Sequence, residues 1–382
     1  MIEQGAPTRV ASIYVHAPFC ARRCSYCDFA VTVRREGDLP AWLEALGAEL
    51  ELVQAAGLFS MANELATLYV GGGTPSLLGP GAMEGLAALI GPERLRNPEL
   101  EWTAEANPES FTDDVAAAWR RAGVNRISLG LQTFSESGLR WMGRLHGVEG
   151  PVRAVAAARR VGIENISVDL IFGLPPALGR SWDDDLNRVL DLEVPHVSLY
   201  GLTVESETPL GRAVREGRES PVDEEQYRDE FLRAAAVLGE AGYEHYEVSN
   251  FARSGAVARH NSAYWEGTPY LGLGNGAHSY AYPVRRWNVR DWEAYRSRVV
   301  AGRSAEDDRE TVDAEAHLLE CVWLGLRTRA GVPRPAVGTT AEVVTRRWER
   351  EQLATEHEGR IRLTVEGWLL LDQLTIELAG CL

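Results

Sequence analysis

The chain has 382 residues, 45% of them hydrophobic and 25% charged, with a formal net charge of −16. That length predicts one large domain with a smaller appendage, and an acidic balance without any Lys/Arg-rich block argues against nucleic-acid or anionic-membrane surfaces, which need a basic footprint. No apolar run reaches the roughly 18 residues of a spanning helix, the first residues lack signal- or transit-peptide character, and the expectation is a soluble, cytoplasmic protein whose thiols stay reduced.

Taken in chain order, apolar strand-like runs alternate with helix-period segments. SIYVHAP precedes a helix near 39–56, LATLYVGGG one near 80–90, and LEWTAEAN is followed by TDDVAAAWRRAG. NRISLGLQ leads into two helical stretches, the second of which, VRAVAAARRVG, closes on a glycine stop signal. NISVDLIFGLP precedes a helix that starts at Ser181 with acidic residues in its first turn, and HVSLYGL precedes a long helix near 222–241. Six such units predict a parallel sheet and a full or partial α/β barrel, with functional groups where strands end. Cys20, Gly71 to Thr74, Glu105, Gln132 and Tyr200 fall at such ends, and Asp169 lies within the fifth strand. The rhythm changes after residue 250. We expect a barrel over 1–250, an aromatic and Gly-rich connecting segment packed on it over 251–304, and a small α+β C-terminal domain over 305–382. The polar run AGRSAEDDRE marks the last boundary.

Three of the five cysteines, Cys20, Cys24 and Cys27, stand within eight positions in a CxxxCxxC pattern, while Cys321 and Cys381 are isolated. Three thiolates on one short loop can hold three corners of an iron–sulfur cluster, and the missing fourth ligand leaves one iron open to an exogenous donor. The alternatives are a zinc site completed by His16 or a chance grouping. Zinc sites usually show paired CxxC knuckles and closed coordination, which this chain lacks. The GGGTP run after the second strand suits close backbone approach to a ligand, with N–H groups free to donate. Glu105 and Asp169, acidic residues in apolar parallel strands, each require a partner.

Together with YVHAPFC, CSYCDF, GGGTPS, EANPES, SLGLQTF, GRLH, DLIFGLP and GLRTRAGV, these features resemble the radical S-adenosylmethionine (SAM) superfamily. The likeness to its oxygen-independent coproporphyrinogen III oxidase group runs over roughly residues 10 to 380. The resemblance implies a partial (β/α)6 barrel in which Cys20, Cys24 and Cys27 ligate a [4Fe-4S] cluster. It also implies that Tyr14, Gly72, Gly73, Thr74, Glu105, Gln132, Arg144 and Asp169 border SAM. Their chemistry suits that ligand, since carboxylates accept from ribose hydroxyls and an arginine can fork onto a carboxylate.

The group holds two kinds of member. The oxidases resemble CxxxCxxCxC with a long N-terminal extension, whereas position 29 here is Phe29 and 19 residues precede Cys20. The segments CDF and RHNSAYWEG instead resemble the HemW-type haem chaperones, whose HNxxYW motif is matched by His260, Asn261, Tyr264 and Trp265. That resemblance implies haem bound through His260 with Tyr264 and Trp265 packing on the porphyrin. It also implies a haem-accepting partner protein, a respiratory haem enzyme going by the family, met by transient contact with a membrane protein. An imidazole is a competent axial ligand and aromatic rings pack on porphyrin faces. The residues by themselves better suit a loop histidine with aromatics packed beneath it, and it is the motif in its expected place that favours haem. His278 in GLGNGAHSY is a second candidate ligand. The alternative function is a radical enzyme that decarboxylates coproporphyrinogen III, and a third reading is a zinc-stabilised barrel of unrelated function.

Overall fold

The six apolar runs form parallel strands because nearly every residue in them can be covered on both faces. They are β1 (Ser12–Ala17), β2 (Thr67–Gly72), β3 (Glu101–Ala106), β4 (Arg126–Gln132), β5 (Asn165–Phe172) and β6 (His196–Gly201). All seven residues of β4 are buried. The structure, a computed structural model, describes residues 7–220, 222–334 and 341–381. The intervening helices include Leu39–Ala56, Asp113–Ala122, Trp182–Asp191 and Glu224–Glu240. Each starts where a short polar side chain accepts an otherwise unpaired N–H: Asp38 from Ala41, Thr112 from Val115, Ser181 from Asp184 and Asp223 from Gln226.

Strands β1 to β6 lie side by side in sequence order, all parallel. With no reversal of order the carboxyl ends share one rim, where loops build sites. The sheet does not close. Beyond β6 it continues into antiparallel β7 (Glu244–Glu247) and β8 (Asn250–Ala252), with β8 nearer. Beyond β1 it continues into parallel β9 (Tyr270–Leu273), then antiparallel β10 (His278–Ala281), β11 (Val284–Asn288) and β12 (Glu306–Thr311). The architecture is therefore a partial (β/α)6 barrel within a twelve-stranded sheet.

Two segments differ from expectation. AGRSAEDDRE contains the edge strand β12 rather than a loop boundary; five of its six residues are exposed and mostly charged, which protects a free sheet edge from further pairing. RHNSAYW forms a helix, Arg259–Trp265, because the Glu101 carboxylate accepts from the N–H groups of Arg259 and His260 and so caps its start. The C-terminal helix Ala314–Leu326 and a small three-stranded sheet join the same continuous core, which holds Leu326, Trp348, Ile361 and Leu374 alongside Trp42, Trp102 and Trp119.

The extension is fastened to the barrel by one buried carboxylate. Glu49 accepts from the Gly274 N–H at 2.7 Å, the Tyr295 hydroxyl at 2.7 Å and the Asn288 amide at 2.6 Å. Burial pushes its pKa up, against the three hydrogen bonds. Glu49→Ala is expected to lower stability by about 2 kcal/mol in urea unfolding, because each orphaned buried donor carries a desolvation penalty; an unchanged midpoint would show the extension to be held otherwise.

Candidate functional site

The cysteine segment is a closed excursion from the rim. Phe19–Cys20 pairs with Thr32–Val33, and the Arg34 N–H donates to the Cys20 carbonyl at 2.9 Å, so the two ends of the loop are tied. Ser25 anchors its middle, donating from N–H to Met142 and accepting from the Leu210 N–H. Cys20, Cys24 and Cys27 all face one cavity of about 470 Å³ at the carboxyl ends of the strands. The Thr74 hydroxyl donates to the Cys20 sulfur at 3.4 Å, and the Arg144 guanidinium lies 3.8 Å from the Cys24 sulfur. Burial pushes the Cys20 thiol up to about 11 and raises Cys27 as well, so ligation has to displace protons.

Among the described residues no three His, Cys, Asp or Glu side chains converge tightly enough for a single metal ion. A multi-iron cluster needs thiolates spread around a larger body than one ion, and three thiols around a shared cavity suit that. Zinc held with His16 is not supported by the geometry. The His16 ring pairs through Nδ1 with the Tyr14 hydroxyl at 3.0 Å and donates from Nε2 to the Ala30 carbonyl at 2.9 Å.

Seven of the eight positions singled out for SAM line this cavity with the cysteines; Tyr14 does not. Tyr14 lies in an adjoining cavity of about 480 Å³, stacked on Tyr69 at 6.0 Å. Gly72 and Gly73 do line the cavity, but the expected reason for glycine changes. The Gly72 N–H donates to Glu105 at 2.9 Å and the Gly73 N–H to the Ala17 carbonyl at 2.7 Å, so neither is free for a ligand. Gly72 sits at φ +105°, where a Cβ would overlap the His16 ring, and a Cβ at Gly73 would stand 2.6 Å from the Ala17 oxygen. Close approach of β1 and the cysteine loop, not of a ligand, demands these glycines.

Two carboxylates line the same cavity. Glu105 accepts from the Tyr69 hydroxyl at 2.7 Å, and burial pushes it up to about 7. Asp169 accepts from the Ser128 hydroxyl at 3.1 Å and is pushed up to about 6, again chiefly by burial. Each would be relieved by a cationic ligand. Arg144 is not on an open surface: its guanidinium donates to the Gly130 carbonyl and to Asn107 Oδ1 at 2.7 Å. Its Nε is buried and has no partner among the described residues. Gln132 ends β4 at φ +72°, a left-handed conformation coincident with a register shift, and such local strain gathers at ligand sites. Asn107, Tyr69 and Ser128 escaped the sequence reading. Asn107 bridges Thr74 and Arg144; its place immediately after β3, at a strand end, was the available signal.

His260, singled out for haem, is enclosed in this structure. His260 is 1% exposed, with Nδ1 paired to the Thr67 hydroxyl at 2.7 Å and Nε2 to the Tyr264 hydroxyl at 2.8 Å. Both ring nitrogens are engaged by hydroxyl groups of the protein. The ring stacks on Tyr69 at 5.1 Å, on the side away from Tyr14, so the HNxxYW helix props the tyrosine that holds Glu105. Tyr264 and Trp265 border a separate groove of about 280 Å³ alongside His317 and Cys321. They are thus outside the cysteine cavity.

Known proteins share this fold and much of this sequence. A family model described as the Radical SAM superfamily matches residues 14–189. The haem chaperone HemW of Mycobacterium tuberculosis is 37% identical over 384 residues, covering 98% of this chain and 96% of the relative. That of Bacillus subtilis is 33% identical over 324 residues, covering 85% of each. Among solved structures, the Escherichia coli coproporphyrinogen III oxidase HemN, a radical SAM enzyme, superposes with a TM-score of 0.79 at 24% identity, covering 99% of this chain and 91% of that one. The last likeness is one of fold.

Proposed function

Since the chain belongs to the radical SAM superfamily and, within it, to the family of the HemW haem chaperones, we propose that it binds haem and transfers it to an acceptor apo-protein. The observation that carries this is the 37% identity to a haem chaperone across nearly all of both chains. Within the same reading, Cys20, Cys24 and Cys27 hold a [4Fe-4S] cluster, and SAM occupies the cavity they share with Glu105, Gln132, Arg144 and Asp169. When bound, the cluster supplies an iron with an open coordination position. The Arg144 guanidinium serves the ligand carboxylate, Glu105 and Asp169 face its cationic and ribose groups, and Thr74 steadies Cys20. The acceptor in this proposal is a respiratory haem enzyme met by transient contact from the cytoplasm. No helix among the described residues is long and apolar enough to cross a membrane.

Phe29, 63% exposed, stands where the oxidases carry a further cysteine, and the fold likeness to an oxidase does not extend to chemistry. The reconstituted chain, incubated anaerobically with coproporphyrinogen III, SAM and a reductant, is expected to give no decarboxylated product. The haem-loaded chain is expected to lose its haem to an apo-acceptor. Product formed with stoichiometric methionine and 5'-deoxyadenosine would establish the oxidase instead.

A further inference from the structure

A neutral imidazole has one N–H and one lone pair, and burial, which pushes the His260 pKa down to about 3, keeps that ring neutral. Both nitrogens are spent on hydroxyls, Nδ1 on Thr67 at 2.7 Å and Nε2 on Tyr264 at 2.8 Å. Thr67 stands buried in β2, whereas Tyr264 belongs to the helix Arg259–Trp265 itself and lines the open groove of about 280 Å³. A porphyrin plane stands across the imidazole that ligates its iron and extends past that ring on both sides. No such plane can form on a ring that is 1% exposed and stacked on Tyr69 at 5.1 Å and 25°. To meet haem, the His260 ring has to leave its socket.

That socket is also part of the other site. The Tyr69 hydroxyl donates to Glu105 Oε1 at 2.7 Å, and Glu105 Oε2 accepts from the Gly72 N–H at 2.9 Å. Glu105 lines the cysteine cavity. The same strand, β3, ties down the helix, because its Glu101 carboxylate accepts from the N–H groups of Arg259 and His260. Withdrawal of the ring strips Tyr69 of its stacking partner and opens a void behind it. The Tyr69 hydroxyl then has no fixed place from which to hold Glu105. One arrangement completes the wall of the cysteine cavity and hides the imidazole; the other bares the imidazole and loosens the wall.

We propose that SAM and haem oppose each other through His260: SAM favours the seated ring, haem favours the withdrawn ring, and Tyr264 is the latch. The inference rests on the haem-binding reading above and deepens it, because it names what regulates release. With Glu105 engaged by SAM, His260 is drawn back to Thr67 and Tyr264, and its hold on haem weakens. The coupling is a free energy between two sites, so each ligand weakens the other by the same factor.

The test is isothermal titration of SAM into the full, cluster-reconstituted chain under anaerobic conditions, without and with one equivalent of haemin. It is paired with haemin titration by absorption, without and with SAM. In the wild type each ligand is expected to weaken the other about tenfold. His260→Ala is expected to weaken SAM about fivefold with no haemin present, and to erase the effect of haemin on SAM. Tyr264→Phe keeps the ring packing, removes the latch bond, and is expected to tighten haemin binding about fivefold. Thermal unfolding separates a misfolded His260→Ala from a loosened wall, and the near-isosteric Tyr264→Phe carries the test if the alanine variant does not fold. SAM affinity that is equal or higher with haemin overturns the antagonism while the haem reading stands. An effect of haemin that persists in His260→Ala overturns the role of this ring, and unchanged haemin affinity in Tyr264→Phe overturns the latch. If the wild type takes up no haemin, the haem reading falls and the antagonism with it.

Discussion

Replacing any one of Cys20, Cys24 and Cys27 by alanine is expected to reduce iron and acid-labile sulfide from about four of each per reconstituted chain to below about one. Each thiolate serves one corner, and no other side chain can step in. Cys321 lies beside His317 on the helix Ala314–Leu326, and Cys381 donates to the Glu377 carbonyl near the C-terminus. His16 is engaged at both nitrogens, so His16→Ala is expected to leave the iron content unchanged, which a zinc or mixed site would not allow. The fold should survive the cysteine substitutions. All three thiols are only half-buried, and the loop is closed by backbone hydrogen bonds rather than by the thiols. Iron and sulfide analysis with far-UV circular dichroism separates loss of the cluster from loss of structure. Full iron in any single variant would sink the assignment.

SAM affinity is expected to rise by about a hundredfold between pH 5.5 and pH 8, reaching its plateau just above 7. The sign follows from the two carboxylates. Glu105 titrates at about 7 and Asp169 at about 6 because burial disfavours their charged forms. Both are protonated at the acid end, where a sulfonium and an ammonium gain little from them. Both are ionised at the alkaline end. Stability of the ligand-free chain moves the opposite way. A carboxyl whose folded pKa lies above its unfolded value holds its proton longer when folded, so its contribution is present at low pH and is lost as pH climbs from about 4.5 to about 7 for Glu105. The loss from that residue is on the order of 3 kcal/mol. Glu105→Gln is therefore expected to stabilise the ligand-free chain at pH 8, to weaken SAM binding, and to remove the steeper limb of the pH profile. Isothermal titration across this range, paired with urea unfolding, reads both. An affinity that is flat with pH would mean that neither carboxylate faces the ligand's charge.

The two effects share a cause in the location of the site. Buried carboxylates cost stability when empty and gain affinity when filled, so the cavity is least comfortable without its ligand. The prop behind it has the same character. Tyr69 is held between Tyr14 and His260 while its hydroxyl reaches Glu105. The motif that resembles a haem-ligand signature thus supports the Tyr69–Glu105 wall of the cysteine cavity from behind.

What the sequence determined by itself was local. Mainly apolar runs alternating with helix-period segments specified β1 to β6, because a parallel strand is buried on both faces. Ser181 announced its helix because a cap is an interaction within four residues. The cysteine spacing was legible for the same reason: its three ligands lie on one short loop. What only the tertiary structure decided were the choices among distant partners. Nothing near Tyr270 states that β9 will lie parallel to β1, about 250 residues away. Nothing in AGRSAEDDRE states that its charges will guard an open edge. His260 and His278 read alike as histidines in a Gly- and aromatic-rich stretch. Thr67 and Tyr264 close the first within the core, and the second, at the start of β10, faces an open cavity. Availability of an imidazole lone pair depends on which polar groups the fold brings within hydrogen-bonding distance, and that is a property of the packed chain.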